Sequence, residues 1–206
     1  MTINFNRTVA YMCARCGEVA YGDFSIFSFS GNRGISVKCG CGKSSLKIYP
    51  KSKNTLIVSL PCLICDEEHE YEVPMSELMH QKYLDFSCPE ILVGLASIGK
   101  DEDVATFIKE NEQYINEIVT ACGLNHTGKN GLTMLKALDK IQEVSDEGRL
   151  SCHCGSKLID IDVLEDELIL KCCDCGSKAS FTADEIRNGN FSKVTKIMIS
   201  KSNRDK

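Results

Sequence analysis

The sequence predicts an α+β fold, with β-rich, cysteine-bearing segments at both ends of the chain flanking a central helical hairpin. Three observations carry that prediction. Short apolar runs separated by turn residues fill residues 1–100 and return after 149. Between 101 and 147 apolar residues recur at three- and four-residue spacing. Of thirteen cysteines, all but Cys122 lie in the two β-rich parts.

In the first part, residues 1–100, β-like runs are expected at 24–29, 35–38, 46–49 and 55–60, with turns at 30–34 and 50–54. That pattern is a meander of hairpins. The second part, 101–148, reads as two helices. The first, 101–121, carries Val104, Phe107, Ile108, Ile115, Ile118 and Val119 on one stripe and stops at Gly123. The second, about 129–147, carries Leu132, Leu135, Leu138, Ile141 and Val144 and stops at Gly148. An αα-hairpin of this kind must bury its stripes against the first region or another chain, so self-association through it is one expectation. The third part, 149–206, returns to β character up to about 183 and ends in a polar tail from 200.

Apolar residues make up 43% and charged residues 26%, values of an ordinary globular protein, so the cysteine count is the anomaly. An odd number of cysteines excludes a fully paired internal disulfide framework. The start of the chain lacks the apolar stretch of a signal peptide and no run approaches the ~20 apolar residues of a membrane span. A cytoplasmic, non-membrane protein with reduced thiols is therefore expected, and clustered reduced thiols point to metal.

In the third part Cys152-His153-Cys154-Gly155 and Cys172-Cys173-Asp174-Cys175-Gly176 bracket a hairpin formed by 158–163 and 168–171. A hairpin brings its ends together, and zinc needs four thiolates at ~2.3 Å from one ion. The glycine after each pair suits a tight knuckle turn that requires positive φ. These residues resemble the zinc-ribbon family, in which two cysteine knuckles are separated by β-strands, although the first knuckle here is C-x-C rather than C-x-x-C. The resemblance spans about 30 residues and implies a zinc site held by Cys152, Cys154, Cys172 and Cys175, not an activity. The chain as a whole is loosely similar to uncharacterised bacterial zinc-ribbon proteins.

A near copy lies earlier, where Cys39 and Cys41 precede Cys62 and Cys65. By the order seen in the third part, the favoured site is Cys39/Cys41/Cys62/Cys65, which leaves Cys13 and Cys16 to find Cys88 or another partner. A second arrangement stays open, because Cys13, Cys16, Cys39 and Cys41 are followed 49 residues later by Cys62, Cys65, Cys88 and Glu90. It would place Cys13/Cys16/Cys39/Cys41 around one ion and Cys62/Cys65/Cys88 around another, with Glu90, His69 or His80 as fourth ligand. Two to three zinc ions are expected in all. His69, within Asp66-Glu67-Glu68-His69-Glu70, reads as solvated in an acidic run, Cys122 as core packing and Cys173 as a spare thiol.

All-thiolate sites favour structure over catalysis. Pro61-Cys62-Leu63-Ile64-Cys65 matches half of the zinc-deaminase signature, but the H-x-E element follows it instead of preceding it. No P-loop, dinucleotide glycine pattern or H-E-x-x-H helix is present, and an enzyme is not expected. Two non-catalytic roles remain. One is a protein-interaction adaptor with a protein partner, in which the acidic helical region (five basic and ten acidic residues over 101–150) docks another chain. The other is nucleic-acid binding by the basic N-terminal part. Residues 1–65 carry eight basic and two acidic residues, whereas 66–91 carry one and eight. Arg15, Arg33, Lys38, Lys43 and Lys47 are the candidates for phosphate contact, interleaved with Tyr11, Tyr21, Phe24, Phe27 and Tyr49. The plainer account of the charge asymmetry is two solvated faces that neutralise each other.

Overall fold

The structure is a computed structural model that describes residues 5–29, 33–90, 93–188 and 191–200. The turn expected at 30–34 lies partly outside these residues, and the polar tail lies outside them from 201 onward. The chain divides into two units, Met1–Ile115 and Asn116–Lys206. Among the described residues no helix is long and apolar enough to cross a membrane.

The first unit contains strands β1 (Asn6–Met12), β2 (Val19–Ser25), β3 (Ile35–Lys38), β4 (Ser45–Ser52), β5 (Thr55–Pro61) and β6 (Glu68–Pro74), then helix α1 (Met75–His80), β7 (Tyr83–Ser87) and β8 (Gly94–Gly99). Helix α2 (Asp101–Ala121) starts in this unit and runs on into the second. Two four-stranded antiparallel sheets form, in the orders β2-β1-β8-β7 and β3-β4-β5-β6. They share one core: Val9, Tyr11, Leu95 and Ile98 of the first sheet meet Leu46, Ile48, Leu56, Val58, Leu60 and Val73 of the second. Strand β1 is buried on both faces, because Ala10 on its far side packs against Val104 and Ile108 of α2. Asn111 fixes that helix by accepting from the Gly94 amide at 3.1 Å and donating to the Gly94 carbonyl at 2.9 Å.

The hairpin meander expected from sequence is present, with β3, β4 and β5 where the apolar runs place them. The run at 24–29 is a correction: the strand ends at Ser25, and Ile26–Phe29 forms a 3-10 turn whose Ile26 amide bonds the Phe5 carbonyl. Part of the charge asymmetry is neutralised within one sheet. Lys47 and Lys51 of β4 reach across β5 to Glu68 (3.6 Å) and Glu72 of β6, and Tyr49 donates to Glu70 at 2.6 Å.

The second unit holds the last turn of α2, helix α3 (Gly131–Asp146), β9 (Leu150–Cys152), β10 (Ile159–Val163), β11 (Glu167–Cys172), β12 (Lys178–Thr182), helix α4 (Ala183–Asn188) and β13 (Ile197–Ile199). Strands β10-β11-β12 form an antiparallel sheet, and β13 pairs in parallel with β9. Both predicted helices exist, and Gly123 and Gly148, at φ 75° and 70°, end them. Their apolar stripes are divided rather than shared: α3 packs on α4 and β9, and within this unit α2 meets it at Val119 beside Gly131. Buried Arg187 of α4 bonds Thr133 and Asn130 at the start of α3. Thr182 and Glu185 form a reciprocal capping box at the start of α4.

Candidate metal centres

Every knuckle sits in the turn at the end of a strand, and the same backbone pattern recurs. The first cysteine donates its amide across the loop, from Cys13 to Glu18, Cys39 to Ser44, Cys62 to Glu67, Cys88 to Val93, Cys152 to Ser156 and Cys172 to Ser177, at 2.8–3.0 Å. After the last cysteine the chain needs positive φ, supplied at Gly17, Gly42, Gly155 and Gly176 and, uniquely for a non-glycine among the described residues, at Asp66 (φ 60°). Amides then point at sulfur, as in Arg15 N–H to Cys13 Sγ (3.4 Å) and Ile64 N–H to Cys62 Sγ (3.2 Å).

Three groups of four ligand atoms converge, the atoms of each lying within 4.8 Å of one another: Cys13/Cys16/Cys39/Cys41, Cys62/Cys65/His69/Cys88 and Cys152/Cys154/Cys172/Cys175. The third is the set that the zinc-ribbon resemblance implies. The first two overturn the favoured pairing of Cys39/Cys41 with Cys62/Cys65. The physical reason is topological. The β3–β4 and β5–β6 turns stand at the same end of one sheet, yet each turns toward the hairpin facing it in the other sheet, β1–β2 or β7–β8. Each centre thus ties one sheet to the other. His69 is a second correction, since strand alternation aims it inward with Tyr71 and Val73 while Glu68, Glu70 and Glu72 face solvent. His80 and Glu90, the other candidates for that place, are not in the group.

Distances within the groups fit a tetrahedral ion. Four sulfurs at ~2.3 Å from one ion stand about 3.8 Å apart. Observed Sγ–Sγ separations are 3.7 Å for Cys13–Cys41, 3.5 Å for Cys16–Cys39, 3.4 Å for Cys152–Cys175 and 3.6 Å for Cys154–Cys172, and Cys65 Sγ lies 3.3 Å from His69 Nε2. All thirteen thiols are free of disulfides. The donor set, soft sulfur with one imidazole, suits zinc.

Burial and hydrogen bonding split the thiols of the clusters. Burial acts to raise Cys13, but the Arg15 and Cys16 amides and neighbouring thiols outweigh it and bring it down to about 7. Burial holds Cys16 and Cys62 up at about 12. In the third centre the Ser177 hydroxyl and amide lower Cys175 to about 6. For Cys154 the Ser156 amide works downward but is outweighed by desolvation and by thiol neighbours, leaving it at about 12. In the first centre Cys13 and in the third Cys172 and Cys175 are thus eased toward the thiolate, whereas Cys16, Cys62 and Cys154 hold their protons until positive charge arrives.

Cys122 is exposed, not packed in a core. The helix ends one residue before it, and Gly123 turns the chain so that Leu124 takes the buried place, its amide bonded to the Val119 carbonyl. Cys173 is exposed beside the third centre and outside its ligand group. Of the basic candidates, Arg15, Arg33, Lys38, Lys43 and Lys47 are all exposed, and Lys47 is paired with Glu68. Tyr11 and Phe24 are core residues, Tyr49 is half-buried against Glu70, and Tyr21 and Phe27 are exposed. Compared with protein-family models, curated proteins and solved structures, the chain gives no match.

Proposed function

We propose that the chain is a non-catalytic scaffold, held by three structural zinc ions, that acts as a protein-interaction adaptor. The observation that carries this reading is the completeness of the ligand sets: each centre has four protein donors, the closed arrangement of structural zinc, whereas catalytic sites usually keep three protein ligands and a water. Zinc at such sites contributes ~10 to 16 kcal/mol in small peptides, on the scale of a whole domain's stability. Sheets stapled in this way present fixed edges and turns, which suits docking of another protein. Pairing of Lys47 and Lys51 with Glu68 and Glu72 weighs against a phosphate-binding face on that sheet.

Native mass spectrometry of the reduced full-length protein tests the metal reading. Three zinc ions are expected, with loss of folded structure in strong chelator. A metal-free protein whose fold is unchanged by chelator overturns it. Capture from lysate with and without nuclease tests the adaptor reading: a partner protein that survives nuclease supports it. Recovery of nucleic acid alone, lost as salt rises, replaces it with the nucleic-acid role.

A further inference from the structure

We infer that residues 6–52 and 55–101 are two copies of one metal-binding unit, and that position 90 is a latent fourth-ligand position for which His69 substitutes in the second copy. This rests on the metal reading above and goes beyond it by explaining why the two N-terminal centres have unequal donor sets.

Correspondence at an offset of 49 residues extends well past the cysteines. Strand β1, Asn6–Met12, maps onto β5, Thr55–Pro61, and β2, Val19–Ser25, onto β6, Glu68–Pro74, with no difference in bounds. Their registers agree as well: Met12↔Val19 becomes Pro61↔Glu68. Next to the second knuckle Lys38↔Ser45 becomes Ser87↔Gly94. Irregular hydrogen bonds follow the same offset. Ile26 N–H to Phe5 C=O becomes Met75 N–H to Asn54 C=O, Cys13 to Glu18 becomes Cys62 to Glu67, and Cys39 to Ser44 becomes Cys88 to Val93. Asp66, the one non-glycine of positive φ among the described residues, stands where the first copy has Gly17. Exchanging the copies turns the sheet order β2-β1-β8-β7 into β6-β5-β4-β3, the second sheet read backwards. Chance does not reproduce strand bounds, loop closures and a strained residue at one offset.

Three ligands of the first centre map onto three of the second: Cys13, Cys16 and Cys39 onto Cys62, Cys65 and Cys88. The fourth does not. Cys41 maps onto Glu90, an exposed residue outside the group, while His69 maps onto Ala20, which is buried in the core. The 39–44 and 88–93 loops close with the same amide-to-carbonyl bond, at 3.0 and 2.9 Å, so position 90 takes the place in its loop that Cys41 takes in the other. A thiol there would complete a four-thiolate set. With glutamate in its place, the neighbouring strand supplies an imidazole from the inward side of β6.

The test is ligand transfer, read by cobalt(II) loading of the full-length reduced protein under a competing chelator. Thiolate-to-cobalt charge-transfer absorption grows with the number of thiolates bound, so ligand identity and stoichiometry are read together. The wild type is expected to hold three ions. His69→Ala should hold two, and His69→Ala with Glu90→Cys should regain the third, with charge-transfer absorption above wild type. A second version adds Ile91→Gly, so that positions 90–91 match the Cys41-Gly42 pair of the first copy, where Gly42 has φ +72°. Retention of two ions shows in each variant that the fold survives. Failure of both rescue variants to bind a third ion, or three ions in His69→Ala alone, overturns the inference while leaving structural metal intact. A wild type that binds no cobalt or zinc overturns the functional proposal itself.

Discussion

Tyr11 lies fully buried on β1, and its hydroxyl crosses to the other sheet to donate to the Ser44 carbonyl at 3.0 Å, the residue that closes the Cys39 knuckle. Burial pushes its pKa up to about 12, so it remains a neutral donor. At the second centre a tyrosine from a different strand position does similar work, Tyr71 donating to the Ser87 carbonyl beside Cys88 at 2.9 Å. Each N-terminal centre is thus positioned by a tyrosine as well as by its own loop. Tyr11→Phe leaves the ring in place and removes one of the two hydrogen bonds that the Ser44 carbonyl accepts, the other coming from the Cys39 amide, a cost of about 0.5–1.5 kcal/mol. Urea unfolding with zinc bound should show an unfolding free energy lowered by that amount, as a lower midpoint at unchanged slope, and faster zinc transfer to chelator from one centre. An unchanged midpoint would mean that water replaces the bond. The same scale explains how His69 escapes a linear reading. As a run, Glu68-His69-Glu70-Tyr71-Glu72 reads as acidic and solvated; as a strand, alternate positions face opposite ways and only the glutamates are outside. The period-2 signal is in the sequence, but charge density masks it.

At the scale of elements, legibility followed how each segment is buried. Strands β3 and β4 were readable because one face is apolar and the other is not, and β5 because its apolar residues form a run. Strand β1 was not: Asn6-Arg7-Thr8-Val9-Ala10-Tyr11-Met12 is buried on both faces, with Thr8 bonded to Asp23 and Arg7 donating to the Leu78 and Met79 carbonyls, so polar residues interrupt the apolar pattern. Helix bounds were readable from their glycine stops, but their packing was not, since an apolar stripe does not name its partner. For α2 that partner is the sheet face around Ala10, and Asn111 supplies its polar anchor. Gly94 must be glycine there, because a Cβ would lie 2.7 Å from the Phe107 ring and 2.8 Å from Asn111 Oδ1. Asn111→Ala removes two hydrogen bonds to one residue of β8, and a loss of about 1–3 kcal/mol is expected in denaturant unfolding. Gly94→Ala should weaken the same contact by pushing the helix away. Hydrogen exchange faster at residues 101–115 than elsewhere in either variant is the expected signature, and uniform exchange would locate the defect outside this contact.

For the molecule as a whole, structural zinc as proposed above makes each unit's stability conditional on its own metal. Sequence order suggested one repeated hairpin design at both ends, which was right for Cys152/Cys154/Cys172/Cys175 and misleading for the first part. There sheet exchange between the two halves decides which turns meet, and no local signal encodes that exchange except the 49-residue repeat. In the second unit the third centre joins the turn after β9 to the β11–β12 turn, so it clamps the two-stranded and three-stranded sheets together. The first unit has two centres within a core that includes Cys13, Cys39, Cys62 and Cys88. Ligand loss in one unit should therefore leave the other unit's metal in place, because the ligand sets share no residue and sites without shared partners act additively. Cys172→Ser in the full chain should lower zinc stoichiometry from three to two and expose residues 150–182 to protease, while residues 6–99 keep their protection. Cys13→Ser should give the converse, with the 150–182 segment still protected. Loss of all three ions from either variant would require the centres to load cooperatively, and the two units would then have to be treated as one folding system.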